Sequence, residues 1–248
     1  MVCHGISLMP SMSSIRRSPQ NKANNAEIMI STAVKTNDLS AERPPAEQRV
    51  VFHNISWQKY EQILEALGED RAARLTYDRG TLEIAMPLEE HENASRLIEL
   101  FVRILVEELG LEIKALGSAT LKRSDLVRGP EPDNCYYIQN EPRVRGKLVD
   151  LSQDPPPDLV VEVDITHTDI DKPTLYASIG VPELWRYNGT VLQIYQLYGS
   201  QYAEVANSPT FPQVNDNTLI VFLRDCQTLG ESRATKNFRT WVKQTITL

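Results

Sequence analysis

After the proline block Asp154-Pro155-Pro156-Pro157 the chain runs into Asp158-Leu159-Val160-Val161-Glu162-Val163-Asp164-Ile165. Leu159 apart, its apolar residues are all β-branched, so the segment predicts a buried strand. Side chains alternate across a strand, which puts Leu159, Val161, Val163 and Ile165 on one face. Asp158, Val160, Glu162 and Asp164 share the other. Three carboxylates on one face of an apolar strand repel, and burying them costs several kcal/mol unless something pairs them. A divalent cation with oxygen ligands is the ready partner.

The remaining pattern predicts alternating strands and helices. A short strand over residues 49–53 precedes a helix capped by Ser56, with an apolar stripe of Trp57, Tyr60, Ile63, Leu64 and Leu67. A hairpin turns at Asp78-Arg79-Gly80, and a long helix follows over residues 89–109. Helical spacing sets Glu90 in line with Ala94, and His91 in line with Ile98 and Val102, so both are candidates to point inward. Glu92 falls with Arg96, Glu99 and Arg103 on the solvent side. Strands are expected over 111–116 and 120–122, and a turn over 129–132 delivers Asp133 into a strand over 134–138. Residues 140–147 read as a polar loop. Beyond the opening strand come a short helix through Leu175, Tyr176 and Ile179, and a strand over 182–187. Asn188-Gly189 marks a hairpin into 191–195. A strand near 202–205, an apolar run over 219–223 and a C-terminal helix with Phe238, Trp241 and Val242 complete the chain.

Composition sets bounds. Of 248 residues 41% are hydrophobic and the mean hydropathy is −0.34, enough for a core. No apolar run approaches the ~20 residues of a membrane-spanning helix. Residues 1–46, rich in Ser, Asn and Pro, are expected to be a disordered tail, with Met29 an alternative start. Residues 47–248 are expected to form a single domain. No apolar segment follows Arg16 and Arg17, so no secretory signal is expected. Cys3, Cys135 and Cys226 are scattered, which argues against a disulfide framework or a zinc site and for a reducing cytoplasm. The net charge of −7 has the wrong sign for a general nucleic-acid binder. A metal-dependent phosphodiesterase, however, needs an acidic pocket of its own.

Asp133, Glu162 and Lys172 together match the needs of phosphodiester hydrolysis: carboxylate oxygens for Mg2+ or Mn2+, and a cation for the developing charge. Neighbouring strands about 4.8 Å apart would bring the two carboxylates within chelating range. Pro132-Asp133, Glu162-Val163-Asp164 and Lys172 resemble the PD-(D/E)XK nuclease superfamily. More closely, several segments resemble the bacterial putative restriction endonuclease domain family, once catalogued as a domain of unknown function. They are Asp158 to Val163, Tyr176-Ala177, Gly180-Val181-Pro182-Glu183-Leu184-Trp185, the hairpin from Arg74 to Ile84, and Glu90-His91-Glu92. The likeness covers roughly residues 48 to 225.

That resemblance implies an α/β (α+β) restriction-endonuclease-like core, with a central mixed sheet flanked by helices. It implies a metal-dependent DNA endonuclease with Asp133 and Glu162 as metal ligands, the Val163 carbonyl a third, and Lys172 as the lysine of the following helix. Asp158 is a supporting ligand candidate, and Asp164, Glu90 and His91 are further site candidates. Two features depart from the pattern: Asp164 stands where the superfamily usually has its lysine, and Pro173 biases Lys172 away from α geometry. The alternative is a nuclease-like fold acting as a nucleic-acid or protein binding module. A homodimer would suit a double-strand cutter.

Overall fold

The computed structural model describes residues 48–68, 71–165 and 168–246; the expected tail over 1–46 lies outside them. The described residues build two sheets. The smaller is antiparallel: β1 (Gln48–Phe52), β2 (Arg74–Asp78), β3 (Thr81–Met86) and β5 (Arg128–Pro130), ordered β1-β3-β2-β5. The larger is mixed. It contains β4 (Lys114–Ala115), β6 (Asn134–Tyr137), β7 (Leu159–Val163), β8 (Glu183–Tyr187), β9 (Leu192–Tyr198) and β10 (Gln201–Glu204), ordered β10-β9-β8-β7-β6-β4. Its one parallel pair among the described strands, β7 with β8, is joined through helix α4 (Lys172–Ile179).

Helix α2 (Glu89–Glu108) forms because its apolar residues recur at helical spacing and its first turn carries Glu89, Glu90 and Glu92, which complement the dipole. It buries Leu97, Ile98, Phe101, Val102, Ile104 and Leu105 against the Leu159–Val161–Val163 face of β7. Burial of each such side chain stabilises the fold by roughly 1.5–3 kcal/mol. Helices α5 (Asp216–Leu229) and α6 (Glu231–Ile246) close the same layer, with Phe101 stacked on Phe238 at 4.4 Å between centroids. On the opposite face of the sheet, α4 covers Cys135, Val160 and Leu184 with Leu175, Tyr176 and Ile179. Asp171 caps α4 by accepting the Thr174 N–H, and Gly180, at φ 87°, ends it.

Several expected elements differ. The strand over 111–116 shortens to β4, because the Leu111 N–H is drawn back to the Val106 carbonyl in the end of α2. Residues 120–122 form no strand: the Leu121 N–H bonds the Pro130 carbonyl, and a 3-10 turn at Ser124–Leu126 leads the chain away. The turn expected over 129–132 begins as β5, paired with β2, and then crosses to the larger sheet at Glu131-Pro132-Asp133. The polar loop over 140–147 contains a one-turn helix, α3 (Glu141–Val144). The apolar run over 219–223 is helical, within α5, where Asn215 and Thr218 make a reciprocal capping box.

Helix α1 (Trp57–Leu67) packs on the smaller sheet through Tyr60, which stacks on Tyr77 at 4.6 Å and lies with its hydroxyl 3.2 Å from the Gly129 carbonyl. A Cβ at Gly129 would stand 2.4 Å from that hydroxyl. Overpacking at a buried, stacked ring costs about 1–3 kcal/mol. Gly129→Ala is therefore expected to lower the free energy of urea unfolding by that amount, read as a lower midpoint with an unchanged m-value.

Candidate active site

The face of the larger sheet beneath α4 changes character along its strands. In cross-strand register, Cys135, Val160, Leu184 and Tyr195 form an apolar row. Two residues further along, Glu162, Arg186 and Gln193 form a polar one. Extending the β6–β7 register by one residue sets Asp133 opposite Glu162 and completes that row. Helix α4 lies over the apolar row, and its first residue, Lys172, reaches the polar one.

The contacts there are dense. Lys172 Nζ donates to Glu162 Oε2 at 2.6 Å and to Asp164 Oδ1 at 3.0 Å. Tyr176, one turn further along α4, donates its hydroxyl to Glu162 Oε1. Arg186 Nε donates to Asp164 Oδ2 at 2.7 Å. Asp133 Oδ2 accepts the Val163 N–H at 2.6 Å and lies 3.3 Å from His91 Nε2. Arg74 Nη1 lies 3.0 Å from Asp133 Oδ1, and its Nη2 lies 2.7 Å from Glu92 Oε1. Asp133, Glu162 and Lys172 are all buried.

Electrostatics follow from this geometry. Burial alone would lift Asp133, but the His91 hydrogen bond and the charges of Lys172 and Arg74 outweigh it and hold the carboxyl below the usual aspartate range. Burial pushes Glu162 up to about 7; Lys172 pulls the other way, while Asp133 and Asp164 add to the rise. Asp164 is half-buried, which works against its charge, yet Lys172 and Arg186 keep it below its ordinary value. Burial works against the Lys172 ammonium, but the surrounding Glu162, Asp164 and Asp133 hold its pKa above the lysine range. Burial, with Glu162 next to it, raises the Tyr176 hydroxyl well above the tyrosine range, so it remains a donor. Burial likewise pushes the Cys135 thiol up to about 12, which excludes it as a neutral-pH nucleophile.

Asp133, Glu162, Asp164, Lys172 and His91 are thus brought together. Two expected members are not. Glu90 is exposed: the helix turns its first-turn neighbour His91 inward instead. Asp158 accepts the Ile138 and Asn140 N–H groups at 2.7 and 2.9 Å and the Asn140 amide at 2.5 Å. It stands four residues from Glu162, roughly 13 Å along a strand, so it clamps a turn rather than joining Glu162 around one ion. Glu92, assigned to the solvent face, is half-buried and paired with Arg74. Pro173 does not deflect Lys172, which occupies the first position of α4. The sequence reading missed Tyr176, Arg74 and Arg186. The i, i+4 spacing from Lys172 signalled Tyr176. Arg186, a lone cation among Leu184, Trp185 and Tyr187, signalled a carboxylate partner.

Among the described residues, no three His, Cys, Asp or Glu side chains are arranged as a ready metal cage. The Asp133–Glu162 pair is nevertheless an all-oxygen donor set, of the kind Mg2+ takes when it binds through one or two carboxylates and keeps its waters. Burial, the main cause of the upward push on Glu162, works against its charged form, and a divalent cation would favour that form. The residues present fit such an ion.

No curated protein matches the chain. Among solved structures, it is similar to one described as a putative nuclease belonging to DUF820 from Anabaena variabilis. Identity is 15%, the match covers 67% of this chain and 98% of that one, and the TM-score is 0.46. Residues 57–225 match the model of the Uma2 family, described as "Putative restriction endonuclease". That span takes in more than half of the sequence, and the chain belongs to the Uma2 family.

Proposed function

We propose that this chain is a cytoplasmic, Mg2+- or Mn2+-dependent endonuclease that hydrolyses DNA phosphodiester bonds with a metal-activated water. The observation that carries the reading is the convergence of Asp133, Glu162 and Lys172 at one end of two paired strands. Asp133 and Glu162 would hold the ion, with the Val163 carbonyl beside them. A bound divalent cation supplies a water of lowered pKa and neutralises phosphate charge. Tyr176 orients Glu162, His91 and Arg74 orient Asp133, and Lys172 offers its ammonium to the charge that develops on the phosphate oxygens. Asp164 also accepts from Lys172, so the lysine would keep an anchor were Glu162 to bind an ion.

A second reading is a binding module on the same fold. The observation that favours it is that Glu162 already has a cationic partner in Lys172, which it shares with Asp164, without an ion. Calorimetry separates the two: a chain that takes up no Mn2+ is the binding module.

With plasmid and Mn2+, Glu162→Gln and Lys172→Ala are each expected to lower the cleavage rate on the order of a hundredfold or more. Cleavage at the wild-type rate in either variant removes that residue from the chemistry. Asp158→Ala behaves differently. It loses charged hydrogen bonds and is expected to cost about 1.5–3 kcal/mol in urea unfolding, while the folded fraction cleaves as wild type does.

Glu162, raised to about 7, gives a pH signature. Its folded pKa lies above the unfolded value, so its stabilising contribution is complete below the unfolded pKa and is lost as pH rises through about 7. In metal-free protein, the melting temperature of wild type relative to Glu162→Gln is expected to fall across that window. Mn2+ affinity is expected to rise across it, since the ion requires the ionised carboxylate. A flat Mn2+ affinity between pH 5 and 8 contradicts the assignment of Glu162 as a ligand.

A further inference from the structure

Beside the carboxylate pair lies a cavity of about 470 Å3 whose polar lining includes Asp164, Thr168, Lys172, Arg186, Asn188 and Gln193. We propose that this cavity is a subsite for a backbone phosphate neighbouring the one that is cleaved, with Arg186 as its principal ligand. The inference rests on the endonuclease reading and adds to it a residue outside the Asp133–Glu162–Lys172 set.

Three observations lead there. First, Arg186 is placed in the same cross-strand row as Glu162, one strand away. A strand spacing is roughly 4.8 Å, and an arginine side chain is longer than that. With one backbone phosphate at Lys172, the next along the chain falls within reach of Arg186. Second, the guanidinium is pre-positioned. Its Nε is fixed on Asp164, while its side chain stays 28% exposed. A guanidinium has five N–H donors in a rigid fork, so this contact leaves donors for phosphate oxygens. Third, the two carboxylates of the lining, Asp164 and Asp171, are matched in number by Lys172 and Arg186, and Asn188 and Gln193 add neutral amide groups. A phosphate on Arg186 therefore meets no excess of like charge. The same geometry gives Asp164 its use. Set where the superfamily usually has a lysine, it anchors Lys172 through one oxygen and Arg186 through the other.

The test compares two substrates, supercoiled plasmid and bis(4-nitrophenyl) phosphate, the second having no neighbouring phosphate. With Mn2+, Arg186→Gln is expected to lower kcat/KM on plasmid at least tenfold more than on the small diester, with the difference in KM. Arg186→Lys is expected to restore part of it. The double variant Asp164→Asn/Arg186→Gln leaves no unpaired buried charge and is expected to show the same discrimination, which guards against misfolding of the single variant. Equal losses on both substrates, or a loss confined to kcat, overturn the subsite. Should wild type cleave neither substrate, the endonuclease reading fails on its own. Fluorescence anisotropy of a fluorescein-labelled DNA duplex without metal then decides: a salt slope reduced by about one in Arg186→Gln supports the phosphate contact, and an unchanged slope overturns it.

Discussion

The Lys172 ammonium, shared between Glu162 and Asp164, is the interaction on which the polar end of the larger sheet depends. An ionised carboxylate in a dry interior costs several kcal/mol, and removing one member of a buried pair costs about 3–5 kcal/mol because it strands the other. Glu162 sits in the centre of a buried sheet with apolar neighbours at Val161 and Val163, so its charge is tolerable only because Lys172 and Tyr176 reach it from above. Both come from α4, at i and i+4, which makes the seating of this eight-residue helix the controlling constraint. The Asp171 cap fixes where α4 begins, and the apolar contacts of Leu175 and Ile179 fix how deep it lies.

The smaller sheet supports the same point from the other side. The chain leaves it at β5 and enters β6 through Glu131-Pro132-Asp133, so Asp133 belongs to the crossing between sheets. Glu131 is tied to the Leu75 N–H, Thr120 and Arg71, which fixes one end of that crossing. Arg74, on β2, reaches Asp133 directly. Thr168 donates to Glu83 on β3, holding the segment ahead of α4 against the same sheet. The smaller sheet thus positions both the carboxylate and the approach to the lysine.

Much of this was legible in the residue pattern, and the failures have physical reasons. The alternation in β7 placed Glu162 and Asp164 on one face, and their shared lysine bears that out. The same alternation grouped Asp158 with them, because periodicity reports a face and not a distance along it. The helical spacing of α2 allowed Glu90 or His91 to point inward but could not choose, since both lie within one first turn. Tertiary packing made that choice for His91. The larger sheet's strands 182–187 and 191–195 were clear from β-branched and aromatic residues around Asn188-Gly189. The strand over 111–116 shortened and the one over 120–122 did not form, because such connections answer to hydrogen bonds made outside their own segment, such as Leu111 to Val106 and Leu121 to Pro130.

Asp164, which departs from the superfamily pattern that the sequence resembles, acquires sense only in three dimensions. In sequence it is a negative charge where a positive one is usual. In the fold, Lys172 returns from α4 to place an ammonium against that same position, and Arg186 on the neighbouring strand supplies a second cation. Around Asp164 itself the count is therefore one carboxylate and two cations, net positive, where position 164 alone would be net negative. The overall −7 of the chain is a poor guide for the same reason: Debye screening confines distant surface charge to about 8–10 Å, while buried or partly buried groups within the cleft are screened far less. What a phosphate approaching the polar row meets is set by Lys172, Arg186 and any ion held by Asp133 and Glu162, not by the acidic exterior.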